Sequence, residues 1–230
     1  MWYNRRNYDG LKKNIQGGLI HLWELEDNYV DSVGNWHFGL SGSVPFSTGK
    51  VDRCADFNAN GYTGHLSMSP GSFNYLVLTS WTASFWVYPR AAKLQGILCE
   101  WRPQNSANHC HGFRLRDNNI AEYANSNGVG ALSTAKVTLN YWNHVVFRGG
   151  SDAGAVSERN IFINNVKEAN NGIVQLGFPN DVPLEMGTDR YSASVRALNG
   201  MIDQVAMWDR LLTDDEINLL YGNGNGISLV

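Results

Sequence analysis

Along much of this chain the apolar residues alternate with the rest. In residues 81–89, Trp81, Ala83, Phe85 and Val87 stand against Thr82, Ser84, Trp86 and Tyr88, a period of two that sends the sets to opposite faces of a strand. Residues 201–208 repeat the pattern with apolar members in both sets, which predicts a strand covered on both faces. Shorter runs at 18–25, 97–101, 113–116, 141–147, 160–166 and 183–187 predict further strands. Asn164-Asn165 lies where a hairpin turn is needed, and Asn tolerates left-handed backbone. A helical period shows clearly in one place, where Ile217, Leu220 and Tyr221 share a face. Thr213 and Glu216 form a capping box, Leu212 and Ile217 a hydrophobic staple, and Gly222 stands at the expected left-handed C-cap. That helix of about two turns is too short to persist alone and must lay its apolar face on a sheet.

Composition narrows the class. With 230 residues, 43% of them hydrophobic, the chain is long enough for one substantial core, and many glycines and aromatics between short runs fit an all-β domain. The net charge of −3, with Lys and Arg scattered, argues against nucleic acid and anionic membrane surfaces as partners. No apolar run reaches transmembrane length, and the N-terminal stretch lacks the apolar segment of a signal peptide, so secretory export is not expected. Cys54, Cys99 and Cys110 allow at most one disulfide; free thiols in a core are the simpler expectation. Residues 1–17 lack either period and read as an N-terminal arm, either a loose leader or a segment that docks on a neighbouring subunit. Residues 223–230, GNGISLV after Asn223, read as a flexible tail.

Several motifs together resemble one family. Gly200-x-Ile202-Asp203-x-Val205-x-x-Trp208, then Leu212-Thr213-x-x-Glu216-Ile217 and Leu220-Tyr221, is similar to the closing signature of laminin-G-like, concanavalin A-like jelly-roll domains. LWELEDNYVDSVGNWHFGLSGS resembles their opening pattern, and WTASFWVYP and YWNHVVF resemble two of their core strands. Val33 and Trp36 depart from the small residues common in the opening turn. The resemblance covers residues 18–222 and implies a two-sheet antiparallel jelly-roll sandwich with one short C-terminal helix.

Chemistry is sparse. The alternating Glu-x-Asp-x-x-Glu of β-glucan-cleaving relatives is absent, and Glu24 and Glu26 sit at a strand end running into an acidic turn, a poor seat for two-carboxylate glycoside hydrolysis. A glycosidase is therefore the weakest function class and a non-enzymatic protein is expected. His109, Cys110 and His111 alternate across a polar loop without a second pair at zinc spacing, and His144 reads as a core histidine. Calcium is the cofactor the resemblance allows: in that family the first and last strands lie together, which would bring Glu26 and Asp31 near Asp203. The alternative is that Asp203 only caps amides of the turn at 31–35. Trp36, Trp101, Trp142 and Tyr123 could stack on sugar faces; most of these tryptophans are expected in the core, and Trp36, in a polar turn, and Trp101, beside Arg102, are the two expected to be exposed and to bind a sugar.

Two functions fit. The first is a structural or recognition protein on a bacteriophage particle, a capsid decoration or tail-fibre adhesin, because the ending Tyr-Gly-Asn-Gly-Asn-Gly looks like the endings of laminin-G-like domains in phage structural proteins. Its partners would be other virion proteins or its own subunits, reached through the arm, with a place on the virion surface or else in the cytoplasm. The second is a lectin-like module that binds cell-surface glycans.

Overall fold

The computed structural model describes residues 5–57, 64–72, 76–101, 110–124, 131–150, 160–168, 176–178, 182–189 and 196–229. In chain order the elements are α1 (Arg5–Gln16), β1 (Leu19–Trp23), β2 (Gly39–Gly42), β3 (Phe46–Thr48), β4 (Arg53–Phe57), β5 (Gly64–Met68), β6 (Leu76–Leu78), β7 (Ser80–Pro89), β8 (Gln95–Trp101), β9 (Cys110–Leu115), β10 (Ile120–Ala124), β11 (Ala131–Lys136), β12 (Asn143–Gly150), β13 (Asn160–Ile163), β14 (Val166–Lys167), β15 (Leu176–Phe178), β16 (Leu184–Met186), β17 (Gly200–Trp208) and α2 (Asp214–Tyr221). One sheet runs β14-β13-β12-β7-β17-β4-β3, with β1 also paired to β17; the facing sheet runs β11-β10-β9-β8-β16-β5-β2. The pairings are antiparallel, and β6 and β15 form a separate ribbon. This is the expected jelly-roll sandwich.

The main core lies between the sheets, where Trp81, Phe85, Phe113, Tyr123 and Phe147 pack ring against ring. A second cluster, including Leu22, Val146, Phe162, Trp208, Ile217 and Leu220, seats α2 on the outer face of the first sheet. The first sheet is thus covered on both sides, which is why β12 is buried at every position and β17 at nearly every one. The capping box of α2 is present in both directions, and Gly222 ends the helix at φ 56°. Asn164 and Asn165 take φ 51° and 65°, the left-handed pair that a two-residue hairpin between β13 and β14 requires.

Two expectations about the chain ends change. The arm is helical, and its last carbonyls, which a helix cannot satisfy internally, are taken by another part of the same chain: Trp208 Nε1 donates to Ile15 O at 2.6 Å, and Arg210 donates to Asn14 O at 2.8 Å and Gly17 O at 2.6 Å. Ile15 is fully buried in the α2 cluster. The tail is held too, with Leu229 buried and its carbonyl accepting from Gln16 Nε2 at 3.0 Å. Cys54 is a buried free thiol, which burial pushes up to about 12, and Cys99 is buried with its Sγ donating to Phe113 O at 3.2 Å.

Candidate functional site

An open groove of about 250 Å³ lies where β7, the turn before β12, the β13–β14 hairpin and the end of α2 meet. Trp86, almost fully buried, is its floor. Tyr221, placed by the left-handed stop at Gly222, lies nearly parallel to Trp86, with ring centres 5.8 Å apart. His144 stacks on Trp86 at 4.9 Å and pairs with Ser84 Oγ at 2.8 Å. Burial drives its basicity down to about 3, so the imidazole is neutral at physiological pH. Tyr141 and Trp142 form the rim. Tyr141 is 67% exposed, while Trp142 sits edge-on to Tyr88 at 5.7 Å.

Asn side chains stiffen this rim. Asn143 accepts from Thr138 N at 2.9 Å and donates to the carbonyls of Thr138 and Tyr141 at 2.9 and 2.8 Å, so the segment carrying both rim aromatics is clamped. Asn164 accepts from His144 N at 2.9 Å, while its amide nitrogen makes only a long 3.4 Å contact with Asn143. The groove therefore offers rings held in fixed places, amide and hydroxyl groups, and no carboxylic acid among its lining residues. Ring faces match the apolar face of a sugar, and amides and hydroxyls match its hydroxyl groups.

The residues singled out in the sequence fall elsewhere. Trp36 is not exposed: it is 2% accessible, stacked on His21 at 4.1 Å, and its carbonyl accepts from Trp23 Nε1 at 2.6 Å. It borders a second open hollow of about 350 Å³ with His21, Asn35, Leu78 and Asp209. Arg102 lies outside the described residues, and of Trp101 only the backbone is described, at the end of β8 opposite Cys110. Tyr123 is in the core and so is not open to a sugar, whereas Trp142 is half-buried at the groove. Asn140, at φ 58°, lies in the turn just before Tyr141 and Trp142, and β12 starts only at Asn143, so both rings precede the strand.

The three acids expected to share calcium also separate. Asp31 is saturated: Oδ1 accepts from the amides of Leu22, Val33 and Gly34 at 2.9, 3.2 and 2.8 Å, and Oδ2 from Trp36 N at 3.1 Å and His21 Nδ1 at 2.6 Å. These bonds outweigh its burial and hold it below the usual carboxylate range, and no lone pair is left for a cation. Asp31 is therefore not a ligand for calcium, contrary to expectation. Asp203 caps amides, but not those of the 31–35 turn: its Oδ2 accepts from Lys50 N and Val51 N, at 2.7 and 2.9 Å, in the β3–β4 hairpin. Glu26 grips the same hairpin through Arg53 N at 2.8 Å.

The second oxygens of these two acids, Glu26 Oε1 and Asp203 Oδ1, are buried and accept no hydrogen bond. Burial, with the charge of Glu26 adding to it, pushes Asp203 up to about 7; burial first, then neighbouring acids, raise Glu26. Two converging carboxylates with orphaned oxygens fit a hard cation, to which each would give one oxygen. Among the described residues no group of three His, Cys, Asp or Glu side chains converges, so the remaining ligands would be backbone carbonyls or water.

The outer face of the second sheet carries ion pairs: Glu122 with Arg114 and Arg116, Asp189 with Arg196, and Glu185 with His65 at 3.4 Å.

Comparison with known proteins agrees with this architecture. A laminin-G model described as the concanavalin A-like lectin/glucanases superfamily matches residues 60–218. No curated protein sequence matches the chain. Among solved structures, domain 4 of an extracellular GH43 arabinanase from Geobacillus stearothermophilus, in complex with arabinotriose, is 15% identical with a TM-score of 0.67, over 91% of this chain and 98% of that one. Trypanosoma rangeli sialidase, in complex with sialic acid, is 14% identical with a TM-score of 0.59, over 97% of this chain but 39% of that one. The binding domain of botulinum neurotoxin serotype G is 14% identical with a TM-score of 0.56, over 88% of this chain and 50% of that one. At these identities the likeness is one of fold.

Proposed function

The chain belongs to the concanavalin A-like lectin/glucanases superfamily, and from that premise we propose that it is a non-catalytic recognition module that binds a glycan in the groove of Trp86, Tyr141, Trp142 and Tyr221. The observation that carries the reading is a rigid aromatic floor and rim with amide and hydroxyl groups between the rings. A groove of about 250 Å³, just below the usual ligand-site range of about 300–1,000 Å³, suits one or two sugar rings. Hydrolysis needs two carboxyl groups flanking the bond, and none lines this groove. Support from relatives is by analogy: the arabinanase domain carries arabinotriose in its structure. A glycan array followed by calorimetry tests the reading. Wild type should bind a defined glycan, and Tyr141→Ala and Trp142→Ala should each weaken it about tenfold; tight binding unchanged in both variants places the glycan elsewhere.

Calcium at Glu26 and Asp203 is part of this proposal, as a structural ion that would neutralise the buried Asp203 and the half-buried Glu26 rather than touch the sugar. So is a place on a bacteriophage particle, supported by the likeness of Tyr-Gly-Asn-Gly-Asn-Gly after α2 to the endings of laminin-G-like phage structural proteins. Immunogold labelling of a purified parent particle tests it; unlabelled particles would remove it. Docking through the N-terminal segment then concerns the outward side of α1, because its C-terminal end is already engaged by Trp208 and Arg210.

A further inference from the structure

We infer that one water molecule is bound in a small cavity behind the groove's floor, bridging His144 on β12 and Gln204 on β17; the inference does not depend on the glycan reading. The cavity, of about 10 Å³, is bordered by Ser84, Trp86, His144 and Gln204 and covered by Leu220 of α2 and Leu229 of the tail. Gln204 reaches it through a bulge. Asp203 pairs with Trp86 and Ala206 with Ser84, so β17 carries one residue more than β7 across this stretch, and Gln204 takes it up at φ 49°. The tail is held against the same place: Gly226 N donates to Tyr221 O at 3.1 Å, and a Cβ at Gly226 would stand 3.1 Å from the Trp86 indole nitrogen.

His144 is 1% and Gln204 5% accessible, and His144 Nδ1, Gln204 Nε2 and Gln204 Oε1 are all buried without a hydrogen-bond partner. Such atoms are rare in native proteins, because a polar group taken out of water and left unpaired forfeits its hydration. The neighbouring walls do not serve them. Ala206, Leu220, Ile227 and Leu229 are aliphatic, and Ser84 Oγ is engaged with the opposite ring nitrogen, His144 Nε2, at 2.8 Å. A neutral imidazole has one donor and one acceptor nitrogen, so Nδ1 needs an acceptor in one tautomer and a donor in the other; water is both. The same water can meet one end of the Gln204 carboxamide. Its size fits, since a buried water needs roughly 10–15 Å³ and two to four hydrogen bonds. No acidic residue is among the described residues that line the cavity, which favours a neutral ligand over a cation. The water ties β12 to β17 behind Trp86, whose ring stacks on His144 at 4.9 Å.

A high-resolution crystal structure of the full chain tests this directly. It should show one ordered water within hydrogen-bonding distance of both His144 Nδ1 and the Gln204 carboxamide. An empty cavity, a Gln204 side chain turned to bond Nδ1 itself, or a water that reaches only one of the two residues overturns the inference. Solution measurements give an independent arm. Magnetic relaxation dispersion of the water oxygen counts long-lived internal waters, and Gln204→Met, which keeps the side-chain length and removes both polar atoms, should hold one fewer than wild type. Met is no more strained than Gln in this backbone conformation, so the variant should fold; an unchanged circular dichroism spectrum checks this. A folded variant with the same number of long-lived waters as wild type also overturns the inference, and should the variant not fold, the crystal structure of wild type still decides.

Discussion

Asp31, in the opening turn, and Asp203, on β17, are both almost inaccessible aspartates, yet their electrostatics are opposite. Asp31 meets four amides and an imidazole and stays easily ionised; Asp203 meets two amides through one oxygen, faces Glu26, and is pushed up to about 7. Burial costs both charges the same kind of hydration, so the number of aimed donors decides which charge the fold tolerates. The donor count follows from the backbone. At Asp31 the chain curls tightly from residue 31 to 36 and turns its own amides inward. At Asp203, β17 changes partner from β4 to β1 beside a bulge at Gln204, φ 49°, and only the tip of the β3–β4 hairpin reaches the gap.

The largest expected effect comes from breaking the saturated member. Asp31→Ala would leave four amides without their acceptor, and should cost roughly 3–5 kcal/mol in chemical denaturation. A loss below about 1 kcal/mol would mean that water replaces the carboxylate freely. pH separates the two aspartates next. Asp31, with its folded value below the usual 3.8, adds stability that is present above that value and is lost as acid is added below it. Asp203, raised, does the reverse in metal-free protein: its contribution is full below 3.8 and declines as pH rises toward 7, by at most about 1.4 kcal/mol per pH unit. Urea midpoints from pH 4 to 7 in EDTA should show a downward slope that Asp203→Asn flattens; parallel curves for the two proteins would contradict the raised value.

Gly49→Ala should cost roughly 1–3 kcal/mol, because the added Cβ meets the Arg53 carbonyl and Asp203 together. A neutral outcome in thermal melts would show that the turn can back away from Asp203. The smallest effect is that of the ion. EDTA should lower the melting temperature of wild type by a few degrees, equivalent to roughly 1–2 kcal/mol, and should not move Asp203→Asn. An unmoved wild type, refilled with calcium or not, would leave Asp203 a turn cap alone.

The sequence by itself determined the sandwich, because its signals are local: the alternation in residues 81–89 and 201–208, the Thr213–Glu216 box, and two adjacent asparagines at a hairpin each state a backbone conformation within a few residues. It also marked Asp203 as a residue that must find partners, since a charge on a covered strand cannot stay bare. What it did not contain is who those partners are. Lys50 and Val51 lie 153 and 152 positions away from Asp203, Trp208 caps a helix 193 positions before it, and the groove joins Trp86, Trp142, Asn164 and Tyr221 from four separate segments. Such meetings are set by strand order and by where strands change neighbours, so the tertiary structure alone decided that Trp36 is buried, that Asp31 is saturated, and that Tyr141, the most exposed aromatic among the described residues, stands beside Trp86.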